Sequence, residues 1–117
     1  MIKLKHILNA VVVSETDISE GEYTIGRNRG NNLQLEDGVV SGKHAVLTLE
    51  VSPYLPEMLD ITIKDLGSTN GTYVNGVSIT EKRLNHGDVI RIGQHEFKLF
   101  DDQSNVGTQT EYYVPDE

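Results

Sequence analysis

The apolar and polar residues of this chain alternate with a period of two. In Ala45–Val51 the residues Ala45, Leu47, Leu49 and Val51 are apolar, and Asp60-Ile61-Thr62-Ile63-Lys64 and His95-Glu96-Phe97-Lys98-Leu99 alternate in the same way. Successive side chains of a pleated strand point to opposite faces, so this pattern belongs to half-buried strands. Segments rich in β-branched or aromatic residues predict further short strands at 2–7, 10–14, 22–25, 33–35, 72–74, 77–79 and 88–92. Asn70-Gly71, Asn75-Gly76 and His86-Gly87-Asp88 punctuate them. Asn-Gly is the strongest short hairpin signal because both residues tolerate φ > 0. No segment carries a convincing amphipathic helical period. About ten or eleven short strands at this spacing predict an all-β fold, and a lone strand pair cannot bury its apolar face. The expected architecture is therefore a two-sheet antiparallel β-sandwich.

Two segments break the rhythm. Residues 52–59 hold two of the three prolines and join two strands. They are expected to form a surface loop whose apolar side chains fold back onto the sandwich. Beyond Phe100 the chain is polar and acidic, with no strand pattern before Glu111-Tyr112-Tyr113-Val114. This divides the chain into one domain, residues 1–100, and a flexible acidic C-terminal tail, residues 101–117.

Composition narrows the function. The chain has 117 residues, enough for one ordinary domain, and a formal net charge of -8. Five acidic side chains lie after Phe100 with no Lys or Arg among them, so the body carries -3. An acidic chain is a poor general binder of nucleic acid, whose phosphates demand a basic face. No apolar run approaches the ~20 residues that span a bilayer, so no membrane association is expected. The N-terminal residues lack the apolar stretch of a signal peptide. There is no cysteine, which excludes disulfides and thiolate metal sites, and the four histidines (His6, His44, His86, His95) show no metal-ligand spacing. No cofactor or metal is expected, and these features together favour a cytoplasmic location.

Three polar clusters fall at strand ends: Gly26-Arg27-Asn28-Arg29-Gly30, Ser41-Gly42-Lys43-His44 and Gly67-Ser68-Thr69-Asn70-Gly71-Thr72. If the strands before and after them run antiparallel, the clusters meet at one end of the sandwich, where a rigid frame presents its loops. Arg27 offers a fixed fork of donors suited to an oxyanion. Ser41 and Thr69 offer hydroxyls, Gly42 a backbone N–H with no side chain in the way, and Asn70 both a donor and an acceptor. Lys43 adds positive potential. The set describes an anion pocket on an otherwise acidic protein.

At these residues the chain resembles the forkhead-associated (FHA) domain family, whose pattern is Gly-Arg, then Ser-x-x-His, then Asn-Gly. Here it reads Gly26-Arg27, Ser41-Gly42-Lys43-His44 and Asn70-Gly71. The flanking strings Tyr23-Thr24-Ile25, Asp65-Leu66-Gly67-Ser68-Thr69, Thr72-Tyr73-Val74-Asn75-Gly76 and Gly87-Asp88-Val89-Ile90-Arg91-Ile92-Gly93 match as well. The resemblance covers nearly the whole body. It implies an FHA/SMAD-like sandwich that binds a protein phosphorylated on threonine by a Ser/Thr kinase. It further implies that Arg27, Ser41, Gly42 and Thr69 hold the phosphate, that Asn70 and Lys43 meet the peptide, and that Gly26, His44 and Gly71 support the site. Two positions depart from relatives: Gly42 follows the serine where a polar or basic side chain is common, and Val39 is uncharged.

Other readings fit less well. A Ser41–His44 catalytic pair lacks an orienting acid and a nucleophile elbow, so no enzyme is expected. Gly42-Lys43 is no P-loop, because residue 37 is Asp, residue 44 is His and no helix follows. The alternative is a structural or assembly module of the same kind with weak or no phosphate dependence. Thr108 and Thr110 in the tail, once phosphorylated, are candidate ligands for the chain's own pocket.

Overall fold

A computed structural model of the protein describes residues 1–102. Thr108 and Thr110 therefore lie outside the described residues, as does nearly all of the tail. The described residues form eleven strands and no helix: β1 (Ile2–Leu8), β2 (Val11–Ile18), β3 (Gly21–Gly26), β4 (Leu33–Gln34), β5 (Ala45–Val51), β6 (Leu59–Asp65), β7 (Thr72–Val74), β8 (Val77–Ile79), β9 (Glu81–Arg83), β10 (Val89–Ile92) and β11 (His95–Asp101). They make a six-stranded sheet, β2-β1-β11-β10-β7-β8, and a five-stranded sheet, β4-β3-β5-β6-β9.

The period-two pattern becomes the core directly. Ala45, Leu47 and Leu49 of β5, Ile61 and Ile63 of β6, and Ile25 of β3 turn inward from one sheet. Leu4, Ile90, Ile92, Phe97 and Leu99 meet them from the other, and all eleven of these residues are at most 2% exposed. Such a core is what two stacked, alternating sheets produce.

Several features differ from the sequence expectation. Strand β9, Glu81-Lys82-Arg83, is exposed and pairs with β6 through its backbone and an ion pair between Arg83 and Asp60, so no apolar pattern announced it. Strand β4 runs parallel to β3, in register Ile25↔Leu33. The cause is the loop between them, which doubles back: Asn32 Oδ1 accepts from Thr24 N at 2.8 Å and sets β4 level with the end of β3. Residues 52–59 fold back only in part: Met58 is half-buried and Leu59 packs against the core, but Tyr54 is 88% exposed and Leu55 52%. Ser52 Oγ accepts from the backbone N–H of Tyr54 and Leu55, a tight serine turn that lifts the tip away from the sandwich. Strand β11 also runs one residue past Phe100.

What positions the site is the order β3-β5-β6. β3 is antiparallel to β5 (Ile25↔Ala45) and β5 to β6 (Ala45↔Asp65). The end of β3, the start of β5 and the end of β6 therefore lie side by side. From Asp65 the chain crosses to the other sheet and enters it at Thr72. The loop that makes this crossing carries Thr69-Asn70.

Candidate functional site

The backbone pairing of β3 with β5 continues past the strands. Arg27 N donates to Ser41 O at 3.0 Å and Asn28 N to Gly42 O at 3.1 Å. The Arg27 loop and the Ser41 turn are thus locked edge to edge. Asn31 Nδ2 bridges them, donating to Asn28 O at 2.8 Å and Gly42 O at 2.7 Å. Gly26 is needed for this approach, because a Cβ there would lie 2.3 Å from Gly42 O. At Gly42 the space is not open as the sequence suggested: a Cβ there would lie 2.6 Å from Asn28 Nδ2. A side chain at position 42 would displace the Asn28 amide, the exposed end of a flexible side chain.

His44 ties the second loop to the third. It is completely buried, and its Nδ1 accepts from Ser41 N at 3.1 Å while Nε2 contacts Gly71 O at 2.8 Å. A backbone N–H can only donate and a carbonyl only accept, so His44 is the neutral tautomer protonated at Nε2. Gly71 presents that carbonyl from a left-handed conformation, φ 89°.

Asp65 organises the crossing loop. Its Oδ1 accepts from Gly67 N at 2.8 Å and Ser68 N at 2.9 Å. Its Oδ2 accepts from Ser68 Oγ at 2.6 Å and Thr72 Oγ1 at 2.7 Å. Burial acts to raise the pKa of this carboxyl, but the hydrogen bonds from Ser68, Thr72 and Gly67 outweigh it and hold it below the ordinary 3.8. The loop so fixed aims Thr69 N at Ser41 Oγ, 3.0 Å away, and Asn70 Nδ2 at Val39 O, 2.8 Å away.

Arg27, Ser41, Thr69 and Asn70 line one pocket with Gly38, Val39 and Val40, about 140 Å³ in volume. Ser41 Oγ accepts from Thr69, which leaves its own proton free to donate into the pocket. Asn70 spends one N–H on Val39 and keeps the other, with its carbonyl oxygen, for a ligand. Arg27 is exposed, and its guanidinium adds a permanent charge. Gly42 and Lys43 do not line the pocket; Lys43 is exposed on the turn beside it. Gly26, His44 and Gly71 lie beneath it. Sequence reasoning missed Asp65 and Asn31. Asp65-Leu66-Gly67-Ser68 does carry an Asx-turn signal that could have been read, whereas Asn31 gives no local sign of its bridging contacts.

The fold is shared with known proteins. The chain matches the family model described as FHA domain over residues 23–93. It is 32% identical over 97% of its length to protein phosphatase 2C 70 of Arabidopsis thaliana, covering 17% of that protein. Across that relative and two other curated relatives it spans only 11 to 17% of their length. Among solved structures, it resembles a chain from a structural and functional analysis of phosphothreonine-dependent FHA domain interactions, with a TM-score of 0.71 at 30% identity over 86% of this chain and 95% of that one. It also resembles the FhaA FHA domain complexed with the intracellular domain of Rv3910, with a TM-score of 0.70 at 30% identity over 85% of this chain and 99% of that one.

Proposed function

The chain belongs to the FHA domain family, and from that premise we propose that its pocket reads phosphothreonine on a partner protein through Arg27, Ser41, Thr69 and Asn70. The observation that carries this reading is that four donor-bearing residues from three separate loops converge on one pocket. Arg27 takes the phosphate charge, about -1.5 to -2 at neutral pH, in forked hydrogen bonds. The free Ser41 hydroxyl donates a further bond. The remaining N–H and Oδ1 of Asn70 pair with the peptide main chain, and Lys43 adds attraction from the rim. His44, Gly26 and Gly71 keep the loops in place without touching the ligand. Val39 and Val40 supply an apolar wall against which the threonine methyl rests.

The role is recognition rather than catalysis. The partner is a protein phosphorylated by a Ser/Thr kinase in the cytoplasm; no helix of the described residues is long and apolar enough to cross a membrane. Residues 1–100 form the reading module, and the acidic tail is a linker whose Thr108 and Thr110 are the candidate internal ligands. The test is a binding screen against a degenerate phosphothreonine peptide library, run in parallel on Arg27→Ala. Phosphate-dependent binding by the native chain that the variant lacks supports the reading. Binding that ignores the phosphate favours an assembly module instead.

A further inference from the structure

Outside the pocket, two histidines lie in contact between the sheets. His6 of β1 stacks on Phe97 with ring centroids 4.6 Å apart, and its Nε2 is 2.7 Å from His95 Nδ1 on β11. His95 is 8% exposed. Its other ring nitrogen, Nε2, is 3.8 Å from Asp37 Oδ2. Asp37 stands at the root of the segment that walls the pocket. Its Oδ1 accepts from Val39 N at 3.1 Å, and its backbone O accepts from Val40 N at 2.9 Å. Val39 O in turn accepts from Asn70. Contacts thus run unbroken from His6 through His95, Asp37 and Val39 to Asn70.

We propose that Asp37 is a positioning residue for the Val39–Ser41 wall, and that the His6–His95 pair sets how firmly it holds, so that a proton taken up by the pair tightens phosphopeptide binding. This rests on the pocket reading above. In the neutral pair, the Asp37 carboxylate favours the tautomer of His95 with its proton at Nε2. His95 Nδ1 then accepts from His6 Nε2–H. When the pair gains a proton, His95 becomes an imidazolium that donates from Nδ1 to His6 and faces Asp37 from Nε2. His6 moves its own proton to Nδ1 to accept. The 3.8 Å contact becomes an ion pair in a partly buried setting, and the segment from Asp37 to Ser41 is held more tightly.

Asp37 is the carboxylate within ion-pair reach of the pair. Ser14, Thr16, Asn32 and Gln34, which flank His6 from β2 and the β4 region, are uncharged. Lys5 and Glu96, adjacent in sequence to the two histidines, alternate to the opposite face of the sheet. Geometry places the added proton on the His95 ring, because Asp37 faces that ring; burial, and then the facing His95 ring, lower the pKa of His6.

The experiment uses one phosphothreonine peptide taken from the library screen. Its affinity is measured by calorimetry from about pH 8 to about pH 6 on the native chain, His95→Gln, His6→Gln and Asp37→Asn. The peptide phosphate itself titrates near pH 6, but it cancels in the ratio of native to variant affinity. That ratio is expected to rise about fivefold on acidification, the low end of ordinary coupling between sites. A flat ratio overturns the proposal. Should the histidine variants fold poorly, ring NMR on the native chain still decides. By reciprocity, saturating peptide must move the His95 titration to higher pH, and Asp37→Asn must abolish that movement. Equal movement in Asp37→Asn means the phosphate field acts directly, and the relay is wrong. Failure of the native chain to bind any phosphothreonine peptide overturns the pocket reading and the relay together, whereas intact binding with a flat ratio overturns the relay alone.

Discussion

The chain contains the dipeptide Asn-Gly twice, five residues apart, and the two copies do different things. Asn75-Gly76 closes a hairpin between β7 and β8, with φ of 51° and 83° and Val74 paired to Val77. That geometry is what Asn-Gly favours in isolation. The Asn75 side chain then secures the start of β10, accepting from Val89 N and donating to Asp88 Oδ1, both at 3.0 Å. Asn70-Gly71 joins no adjacent strands. It ends the loop that crosses from one sheet to the other, and one polar group of each residue is claimed by a distant partner. Asn70 Nδ2 goes to Val39 and Gly71 O to His44, contacts that span 31 and 27 positions. The first turn stabilises the fold. The second assembles a site, because only a loop held by several elements can bring their side chains to one point.

Four measurements would break or sharpen this contrast. The largest effect belongs to the assembled site. Arg27→Ala should lose essentially all phosphopeptide binding, since removing the partner of a desolvated charge costs about 2–5 kcal/mol and each ~1.4 kcal/mol is tenfold. Because Arg27 is exposed, its stability in denaturant should move by only ~0.5 kcal/mol. Next is the apolar wall. Peptides carrying phosphothreonine should bind better than their phosphoserine twins by roughly 1–3 kcal/mol, the worth of one fitted methyl. Equal affinity would mean that the pocket senses charge alone.

The third measurement crosses the two turns. Asn70→Ala should weaken every phosphopeptide about tenfold, whatever its sequence, because main-chain contacts ignore side chains. Asn75→Ala should leave affinity within about twofold. It should instead lower folding stability by about 1–3 kcal/mol, through lost hydrogen bonds and an alanine at positive φ. Were the two outcomes exchanged, the division between fold and site would fail.

The smallest effect is read with acid. The Asp65 pKa is depressed in the folded chain, so its contribution is present above the ordinary 3.8 and is lost as pH falls through the lower folded value. Amide exchange at Gly67 and Ser68, whose N–H groups it accepts, should therefore accelerate below about pH 3.8 relative to Asn75. Asp65→Asn should show that acceleration already at neutral pH.

The sequence by itself determined the sandwich. The inward residues Ala45, Leu47, Leu49, Ile61, Ile63, Phe97 and Leu99 are those its period of two selects, because a strand has only two faces and water rejects one of them. It also marked Arg27, Ser41 and Asn70 as a set, through motifs at strand ends, and it specified Asn75-Gly76 through the dihedral freedom of two residues. Strand β9 and the parallel direction of β4, a strand expected at 33–35, were hidden, since β9 is wholly polar and strand direction leaves no mark in a side-chain pattern. Only the tertiary structure decided the rest: that Asn28 fills the space beside Gly42, that Asn31 bridges two loops, that Ser41 accepts from Thr69 and so frees its proton, and that His6, His95 and Asp37 come together from two strands and a loop. Hydrogen bonds and ion pairs act over a few ångströms and are indifferent to separation along the chain, so they could be read only once the two sheets had brought their partners within reach.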